Sequence, residues 1–298
     1  MSQTNSNTLS VRAAISEKAS AYVAFTKFRL ASLVVFSASV SYFFAADTIN
    51  WGKFTALLFG GFLVTGASNG FNQIIEKDLD KLMSRTKNRP LPTGKMSINE
   101  GLWLSLIMGA VGISLLWFVL NPLSGLLGAL ALILYAGIYT PLKRKTSFAV
   151  FVGAFPGAIP PMLGYIAETG QFGLIPGILF AIQFVWQFPH FWAIAWKADD
   201  DYRRAGFHLL PSPGGKDKSS AMQAFVYAMF LIPISVLPFY FGVTGVVSAI
   251  IAIILGAYYA YYAFKLYKTV DDKAATKLMF ASFVYLPVVQ IALWLDKI

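Results

Sequence analysis

Cysteine is absent from the 298-residue chain, and histidine occurs only twice, as His190 and His208. The first absence excludes disulfide bonds and thiolate metal sites, and two histidines are too few for a zinc cage. Any bound metal must therefore be held by oxygen ligands. Charge is also scarce, because charged residues make up 13% of the chain, against about 25% in a typical soluble domain.

Hydrophobic residues supply 57% of the sequence, and apolar runs of roughly 17 to 25 residues, long enough to span a bilayer, recur along it. The runs are continuous rather than alternating, which predicts helices instead of a transmembrane barrel. The sequence therefore predicts an all-α, polytopic membrane helix bundle. Nine transmembrane helices are predicted at residues 28–47, 53–76, 101–120, 124–142, 148–167, 173–196, 222–242, 244–264 and 276–295.

Basic residues are distributed unevenly among the segments that connect these spans. If the N-terminus is cytoplasmic, only Lys53 and Lys297 of the 24 Lys and Arg residues fall outside. The positive-inside rule predicts this partition, and a shift by one span would destroy it. We therefore expect a cytoplasmic N-terminus and an outside C-terminus. The net charge of +10 then reflects topology, and no nucleic-acid partner is expected.

The first 26 residues are polar, carry Arg12, Glu17 and Lys18, and lack the apolar core of a secretory signal. We interpret residues 1–26 as a polar cytoplasmic tail and residues 27–298 as a single transmembrane domain. A transit peptide would be richer in arginine and free of acids. This favours a bacterial cytoplasmic membrane over an organelle.

Polar residues enter the end of the second predicted span, where Asn72, Glu76 and Asp80 follow one another at four-residue intervals. On a helix this spacing places the three side chains in one stripe, roughly 12 Å long. Ionisable residues near hydrocarbon are costly and usually functional. We therefore treat Asn72, Glu76 and Asp80, called the acid stripe below, as candidate catalytic and metal-binding residues.

A second acidic cluster, Asp199-Asp200-Asp201, follows the sixth span and lies on the same predicted side of the membrane. Both clusters sit at helix C-terminal ends, where the helix dipole disfavours negative charge unless a cation is bound. Oxygen ligands suit Mg²⁺, which usually takes one or two carboxylates together with phosphate oxygens. Asp200 and Asp201 are therefore further candidate metal ligands, and a diphosphate is the implied substrate.

Basic residues on the same predicted side are candidates for binding that diphosphate, because Arg and Lys pair well with phosphate oxygens. Ordinary loop topology would also explain each of them singly. They are Arg85, Lys87, Arg89, Lys143, Arg144, Arg203 and Arg204.

At these residues the chain resembles the UbiA-type intramembrane prenyltransferase superfamily, whose first signature is an Asn followed by acids at four-residue spacing. Five separated motifs further resemble its protoheme IX farnesyltransferase (heme O synthase) branch. They are Asn72-Gln73 through Arg85-Thr86-Lys87-Asn88-Arg89-Pro90-Leu91, Tyr139-Thr140-Pro141-Leu142-Lys143-Arg144, Gly157-Ala158-Ile159-Pro160-Pro161, Phe188-Pro189-His190-Phe191 and Asp201-Tyr202-Arg203-Arg204-Ala205-Gly206. Where many superfamily members carry another acid, Arg204 follows Asp200 by four residues, which leaves the number of magnesium ions open.

The resemblance implies magnesium-dependent transfer of a farnesyl group from farnesyl diphosphate to a vinyl group of heme b, giving heme O for heme-copper oxidases. It also implies a lipid bilayer as surroundings and a downstream heme-modifying enzyme as partner. His190 precedes the second cluster by about ten residues, on the bilayer side of the expected diphosphate site. We therefore expect His190 to contact heme, at the iron or a propionate.

Three other functions fit parts of the pattern. The same chemistry on a quinone precursor or another aromatic acceptor would use the same metal and diphosphate residues. An ion transporter would place acids near the midplane of several spans, whereas here they gather at one face. A heme-binding assembly factor would need neither the acid stripe nor the basic residues.

Overall fold

The structure, a computed structural model, describes residues 16–298, so Arg12 and the rest of residues 1–15 lie outside the described residues. Within residues 16–298, nine helices are long and apolar enough to cross a membrane, which confirms the nine predicted spans. We number them α1 (Phe28–Ala45), α2 (Trp51–Asp80), α3 (Ile98–Leu120), α4 (Pro122–Leu142), α5 (Ala149–Thr169), α6 (Leu174–Lys197), α7 (Lys218–Tyr240), α8 (Val246–Thr269) and α9 (Asp272–Leu295). This part of the chain forms no β-strand, as the all-α prediction requires.

Two helices begin about one turn earlier than hydropathy predicts because acidic residues cap them. Asp217 accepts a hydrogen bond from the Ser220 backbone N–H at 2.8 Å and so starts α7. Asp271 accepts from the Ala274 N–H at 2.7 Å and starts α9. These carboxylates satisfy backbone donors that a helix N-terminus otherwise leaves open.

Buried glutamines repair the backbone of α5, which contains three prolines. Pro161 has no N–H and so leaves the carbonyl of Gly157, four residues earlier, without its helical donor. The Gln183 amide of α6 donates to that carbonyl at 2.6 Å. Gln290 of α9 then donates to the Gln183 side-chain oxygen at 3.0 Å, which ties three helices together inside the bundle.

The connections differ in length at the two ends of the bundle. At one end the helices are joined by the short segments 46–50, 121, 170–173 and 241–245. At the other end lie the longer segments 81–97, 143–148 and 198–217, together with the two-residue connection 270–271. Both acidic clusters belong to this second end, which we call the site face. The prediction that the second cluster lies at a helix C-terminal end is wrong, because Asp199–Arg204 forms a short helix of its own and its acids occupy the first turn.

Residues 16–26 are helical and pack onto the site face. The carbonyl of Phe25 accepts a hydrogen bond from the Gln73 side chain at 2.5 Å, and the carbonyl of Thr26 accepts from Asn69 at 3.4 Å. Lys18 pairs with Glu100 at 2.8 Å. The chain before α1 is thus attached to α2 beside the acid stripe, while the predicted division at residue 26 stays a prediction.

Candidate active site

The acid stripe lies on the buried face of the last turns of α2. Glu76 is 4% exposed and Asp80 is 0% exposed, and Asn72 is buried beside them. Asp78, between the two acids in sequence, keeps 69% of its side chain exposed. The four-residue spacing therefore places three polar side chains inside the bundle, and the off-register acid faces away.

Each carboxylate of the stripe is paired with a cation from another segment. Lys143, in the α4–α5 connection, forms an ion pair with Glu76. Arg89, in segment 81–97, donates from one guanidinium nitrogen to both Asp80 oxygens at 2.9 and 2.8 Å. Burial lowers the pKa of Lys143, and Glu76 opposes that shift. Removing one member of such a buried pair strands the other charge.

The third member, Asn72, is joined to α4 through Thr140. The Asn72 amide donates to the Thr140 hydroxyl at 3.2 Å, and that hydroxyl donates to the carbonyl of Tyr135 at 2.8 Å. Residues Ile133–Tyr139 form a π-helix, and Pro141 follows it without a backbone N–H to offer. Such wide turns often occur at functional sites. Here the turn brings α4 against the stripe.

Aromatic rings that sequence reasoning did not assign line the same region. The Lys143 ammonium lies 5.0 Å from the ring centre of Tyr139 and 5.3 Å from that of Phe207. The Arg85 guanidinium lies 5.7 Å from the ring centre of Tyr202. The π faces of Tyr139, Tyr202 and Phe207 attract cations. These three rings thus lie beside the basic residues of the site.

Asp201 of the second cluster holds segment 81–97 in place. Its two carboxylate oxygens accept hydrogen bonds from the backbone N–H groups of Ser84 and Arg85, each at 3.1 Å. Arg204 pairs with Asp201 and also donates to the carbonyl of Leu82 at 3.2 Å. The structure thus brings the two predicted acidic regions together, with Asp201 acting as a loop anchor.

The remaining acids of this cluster differ in exposure. Asp199 is buried and accepts a hydrogen bond from Arg203 at 2.8 Å, four residues later. Asp200 is exposed and borders an open cleft of about 520 Å³. The cleft is lined by Arg85, Ile194, Lys197, Ala198, Asp200, Asp201, Arg204 and Met279.

The seven predicted diphosphate-binding residues therefore fall into three groups. Lys143, Arg89 and Arg85 gather at the acid stripe and the cleft. Arg203 pairs with Asp199 of the second cluster. Arg204 pairs with Asp201 and also contacts segment 81–97. Lys87 and Arg144 are exposed on the site face.

Lys27 is a basic residue of the site that sequence reasoning counted only toward topology. Its backbone is left-handed, with φ 50°, at the break between the 16–26 helix and α1. Burial, together with the charges of Arg89, Lys143 and Arg85, lowers its pKa to about 7, although Glu76 opposes the shift. The sequence signal was its position directly before the first span, on the side of both clusters.

His190 lies one helical turn further into the bundle than the cleft residue Ile194. Its Nδ1 atom is 2.7 Å from the Ser282 hydroxyl of α9, and its ring stacks on Trp186 with centres 4.5 Å apart. Phe283 meets the ring edge-on at 5.2 Å. The histidine therefore sits between α6 and α9, directly below the cleft.

The donor set suits a magnesium ion that is shared with a substrate. Among residues 16–298, no group of three or more acidic or histidine side chains converges as a complete metal cage. The stripe offers two carboxylates, and the Asn72 amide, which uses its nitrogen for Thr140, keeps its oxygen for a ligand. One or two protein carboxylates with phosphate oxygens are a common magnesium environment. The acid stripe therefore fits a magnesium site that phosphate oxygens complete.

Comparison with known sequences gives consistent matches over nearly the whole chain. The model of the UbiA prenyltransferase family matches residues 34–285. A protein of Christiangramia forsetii named protoheme IX farnesyltransferase is 50% identical over 91% of this chain and 91% of its own length. One of Cytophaga hutchinsonii with the same name is 47% identical over 93% of this chain and 98% of its own.

Solved structures agree in fold. A digeranylgeranylglyceryl phosphate synthase superposes with a TM-score of 0.79 at 19% identity, covering 94% of this chain and 98% of that one. A UbiA homologue from Archaeoglobus fulgidus, bound to DMAPP and Mg²⁺, gives 0.71 at 15% identity, covering 91% and 98%. At such identities the likeness shows the helical architecture alone.

Proposed function

The chain belongs to the UbiA prenyltransferase family, and we propose that it transfers the farnesyl group of farnesyl diphosphate to a vinyl group of heme b. Water then adds to the prenylated vinyl group and gives the hydroxyethylfarnesyl side chain of heme O. The high identity to two proteins named protoheme IX farnesyltransferase supports this donor and this acceptor.

The observation that carries the diphosphate assignment is the excess of positive charge around the acid stripe. Two buried carboxylates, Glu76 and Asp80, share the region with three basic residues. The basic residues are Lys27, Arg89 and Lys143. An unbalanced positive charge in an apolar bundle attracts a polyanion strongly, because little water screens it.

We propose that the acid stripe holds Mg²⁺ together with the diphosphate, and that Asp200 and Asp201 contribute from the second cluster. The metal supplies charge neutralisation for the diphosphate as it departs. In the substrate complex, Lys143 and Arg89 exchange their carboxylates for phosphate oxygens. The cations that pair with the stripe carboxylates are thus the ones proposed to bind the substrate.

The reaction breaks the bond between C1 of the farnesyl chain and oxygen, and the electron pair leaves with the diphosphate. Arg89, Lys143 and Lys27 stabilise that developing negative charge from fixed positions. Positive charge develops on the allylic carbons, beside the rings of Tyr135 and Tyr139. A vinyl carbon of heme b supplies the electron pair for the new carbon–carbon bond, and water completes the product with loss of a proton.

We place the heme on the bilayer side of the cleft, against α6 and α9 near His190. Ile194 and Met279 line the apolar part of that cleft, and His190 and Ser282 follow about one turn deeper on the same two helices. An acceptor there lies on the bilayer side of the diphosphate site. His190 is the residue that we expect to contact it.

The chain is a multi-pass membrane protein, and we propose the bacterial cytoplasmic membrane as its location. The bacterial relatives support this. In that membrane the site face and the N-terminus are cytoplasmic, as the basic residues predict. A downstream heme-modifying enzyme is the proposed recipient of the product.

The decisive experiment is mass spectrometry of heme extracted after purified protein in detergent is incubated with heme b, farnesyl diphosphate and Mg²⁺. We expect a heme O product that disappears when Mg²⁺ is chelated. Asp80→Asn is expected to abolish most of it. Asp78→Asn is the matched control, because this acid lies two residues away on the same helix and is exposed.

Each alternative outcome has a distinct meaning. Prenylation of a phenolic acceptor without a heme product would keep the chemistry and overturn the acceptor. Full activity without a divalent metal would overturn the magnesium proposal only. Equal losses in Asp78→Asn and Asp80→Asn would refute the special role of the stripe.

A further inference from the structure

The hydroxyl of Ser282 determines which nitrogen of His190 carries a proton. Its oxygen lies 2.5 Å from the carbonyl oxygen of Met279, three residues earlier on α9. Two oxygens this close need a proton between them, so the only hydroxyl proton of Ser282 is donated to Met279. Toward His190, at 2.7 Å, Ser282 can then only accept. His190 Nδ1 must therefore be the protonated nitrogen.

The other nitrogen, Nε2, is left with a lone pair. The ring is 7% exposed, and neither Asp nor Glu among residues 16–298 hydrogen-bonds to it. A second proton would place an unpaired cation in a mostly apolar environment, which is costly. The imidazole is therefore neutral, and Nε2 makes no hydrogen bond within the described part of the chain.

Aromatic neighbours fix the direction in which Nε2 points. Trp186 stacks on one face of the ring with planes 16° apart, and Phe283 packs edge-on at 5.2 Å. The Trp186 indole N–H donates to the carbonyl of Ser282 at 3.0 Å. This hydrogen bond fixes the positions of Trp186 and Ser282 relative to each other. Such outer contacts are the usual way to orient a metal-binding histidine.

We propose that His190 Nε2 ligates the iron of heme b, and that Ser282 is the positioning residue that keeps this nitrogen unprotonated. The inference rests on the proposed heme acceptor and narrows its contact from iron or propionate to iron. A neutral imidazole with Nδ1–H bound to Ser282 has no N–H left for a propionate. Its free lone pair is instead suited to a metal.

Resonance Raman spectroscopy of the ferrous heme complex tests the ligand directly, because an iron–imidazole stretching band shifts when histidine is labelled with ¹⁵N. The chain contains only two histidines, His190 and His208, so the label is easily assigned. We expect the band in the wild-type protein and in His208→Ala, which alters the exposed histidine. We expect its loss in His190→Ala and its return when free imidazole is added.

A second pair of variants separates positioning from packing. Ser282→Ala removes the acceptor for Nδ1–H, and we expect heme affinity to fall by about 10- to 100-fold, as for other residues that orient metal ligands. Ser282→Thr keeps the hydroxyl and should restore the affinity. Ser235→Ala is the matched control, because it removes another buried serine hydroxyl, which bonds Tyr285 at 2.5 Å.

The outcomes distinguish this inference from the proposed function. Heme O formation without an iron–imidazole band, or with a band that persists in His190→Ala, would overturn the ligand and keep the enzyme. A weaker affinity in His190→Ala with an unchanged iron spectrum would mean contact at the porphyrin edge and would also overturn it. His190→Gln, which can still bond Ser282, provides the same test if the alanine variant does not fold. No heme product from any preparation would remove the proposed function itself.

Discussion

The two acidic clusters differ in the origin of their counter-ions. Glu76 and Asp80, on α2, take theirs from Lys143 and Arg89 in other segments. The second cluster pairs within its own turn, where Asp199 meets an arginine four residues later. The first cluster is buried, and the second is partly open to the cleft.

We infer from this difference that the acid stripe takes part in the chemistry, whereas the pair of Asp199 with Arg203 supports the local fold. A buried pair that joins α2 to another segment forms only in the folded bundle, and we propose that its cation is exchanged for a phosphate oxygen of the substrate. A pair within one turn, half exposed on the arginine side, contributes little to stability. Asp201 is intermediate, because it pairs locally but also holds the backbone of segment 81–97.

The largest effect is expected when a carboxylate of the acid stripe is replaced by its amide. We expect Glu76→Gln and Asp80→Asn each to lower turnover by at least about 100-fold, because leaving-group stabilisation is lost. The product assay with heme b measures this loss. Size-exclusion chromatography in detergent should show that both variants remain folded, and near-normal turnover would remove the metal assignment.

Asp201 should produce a smaller loss of a different kind. We expect Asp201→Asn to lower turnover by roughly 10-fold and to speed hydrogen exchange at the Ser84 and Arg85 amides, since a neutral acceptor holds them less well. Mass-spectrometric hydrogen exchange follows those amides. Asp200→Asn is the companion variant, because it leaves the anchor intact. If both variants exchange alike, the anchoring role is wrong.

Lys27 should make the affinity for farnesyl diphosphate depend on pH. Its folded pKa of about 7 lies below the usual value for lysine, so Lys27 is charged below that pH and loses its proton as pH rises through it. We expect the affinity of the wild-type protein for farnesyl diphosphate to fall by roughly 5-fold between about pH 6 and about pH 8. Lys27→Met should bind weakly throughout with a flatter profile, measured by isothermal titration. The exposed Lys87→Met is the control, and equal slopes in all three proteins would contradict the role.

The smallest effect is expected at Asp199. Its pair with Arg203 is local, and the arginine side chain is 54% exposed. Asp199→Asn should therefore change turnover by less than about threefold, because pairs of this kind contribute at most about 1 kcal/mol. A loss as large as that at Asp80 would erase the distinction between the two clusters.

The fold was largely predictable because hydrocarbon thickness and continuous apolar runs determine the spans. The differences come from capping, as at Asp217 and Asp271, which extend α7 and α9 beyond their apolar cores. The π-helix at Ile133–Tyr139 was not predicted, since hydropathy does not distinguish its hydrogen-bond pattern from that of an α-helix. The orientation across the membrane stays a prediction.

The acid stripe was predictable in position because helical periodicity alone places Asn72, Glu76 and Asp80 on one face. Their partners were not, since the pairing of Glu76 with Lys143 depends on how remote helices pack. The place of Lys27 in the site was not predicted, because no sequence pattern indicates a left-handed backbone conformation at a lysine.

The unequal connections at the two ends of the bundle have an electrical consequence. Long segments and both acidic clusters occupy one end, whereas the other end is closed by short turns and a few ion pairs such as Lys297 with Asp47. In the function that we propose, the charged donor enters at the site face and its diphosphate leaves at that same face. No ionic charge then crosses the bilayer, where each would gain or lose about 2.3 kcal/mol per 100 mV. The proposed transfer step is therefore expected to be insensitive to the membrane potential.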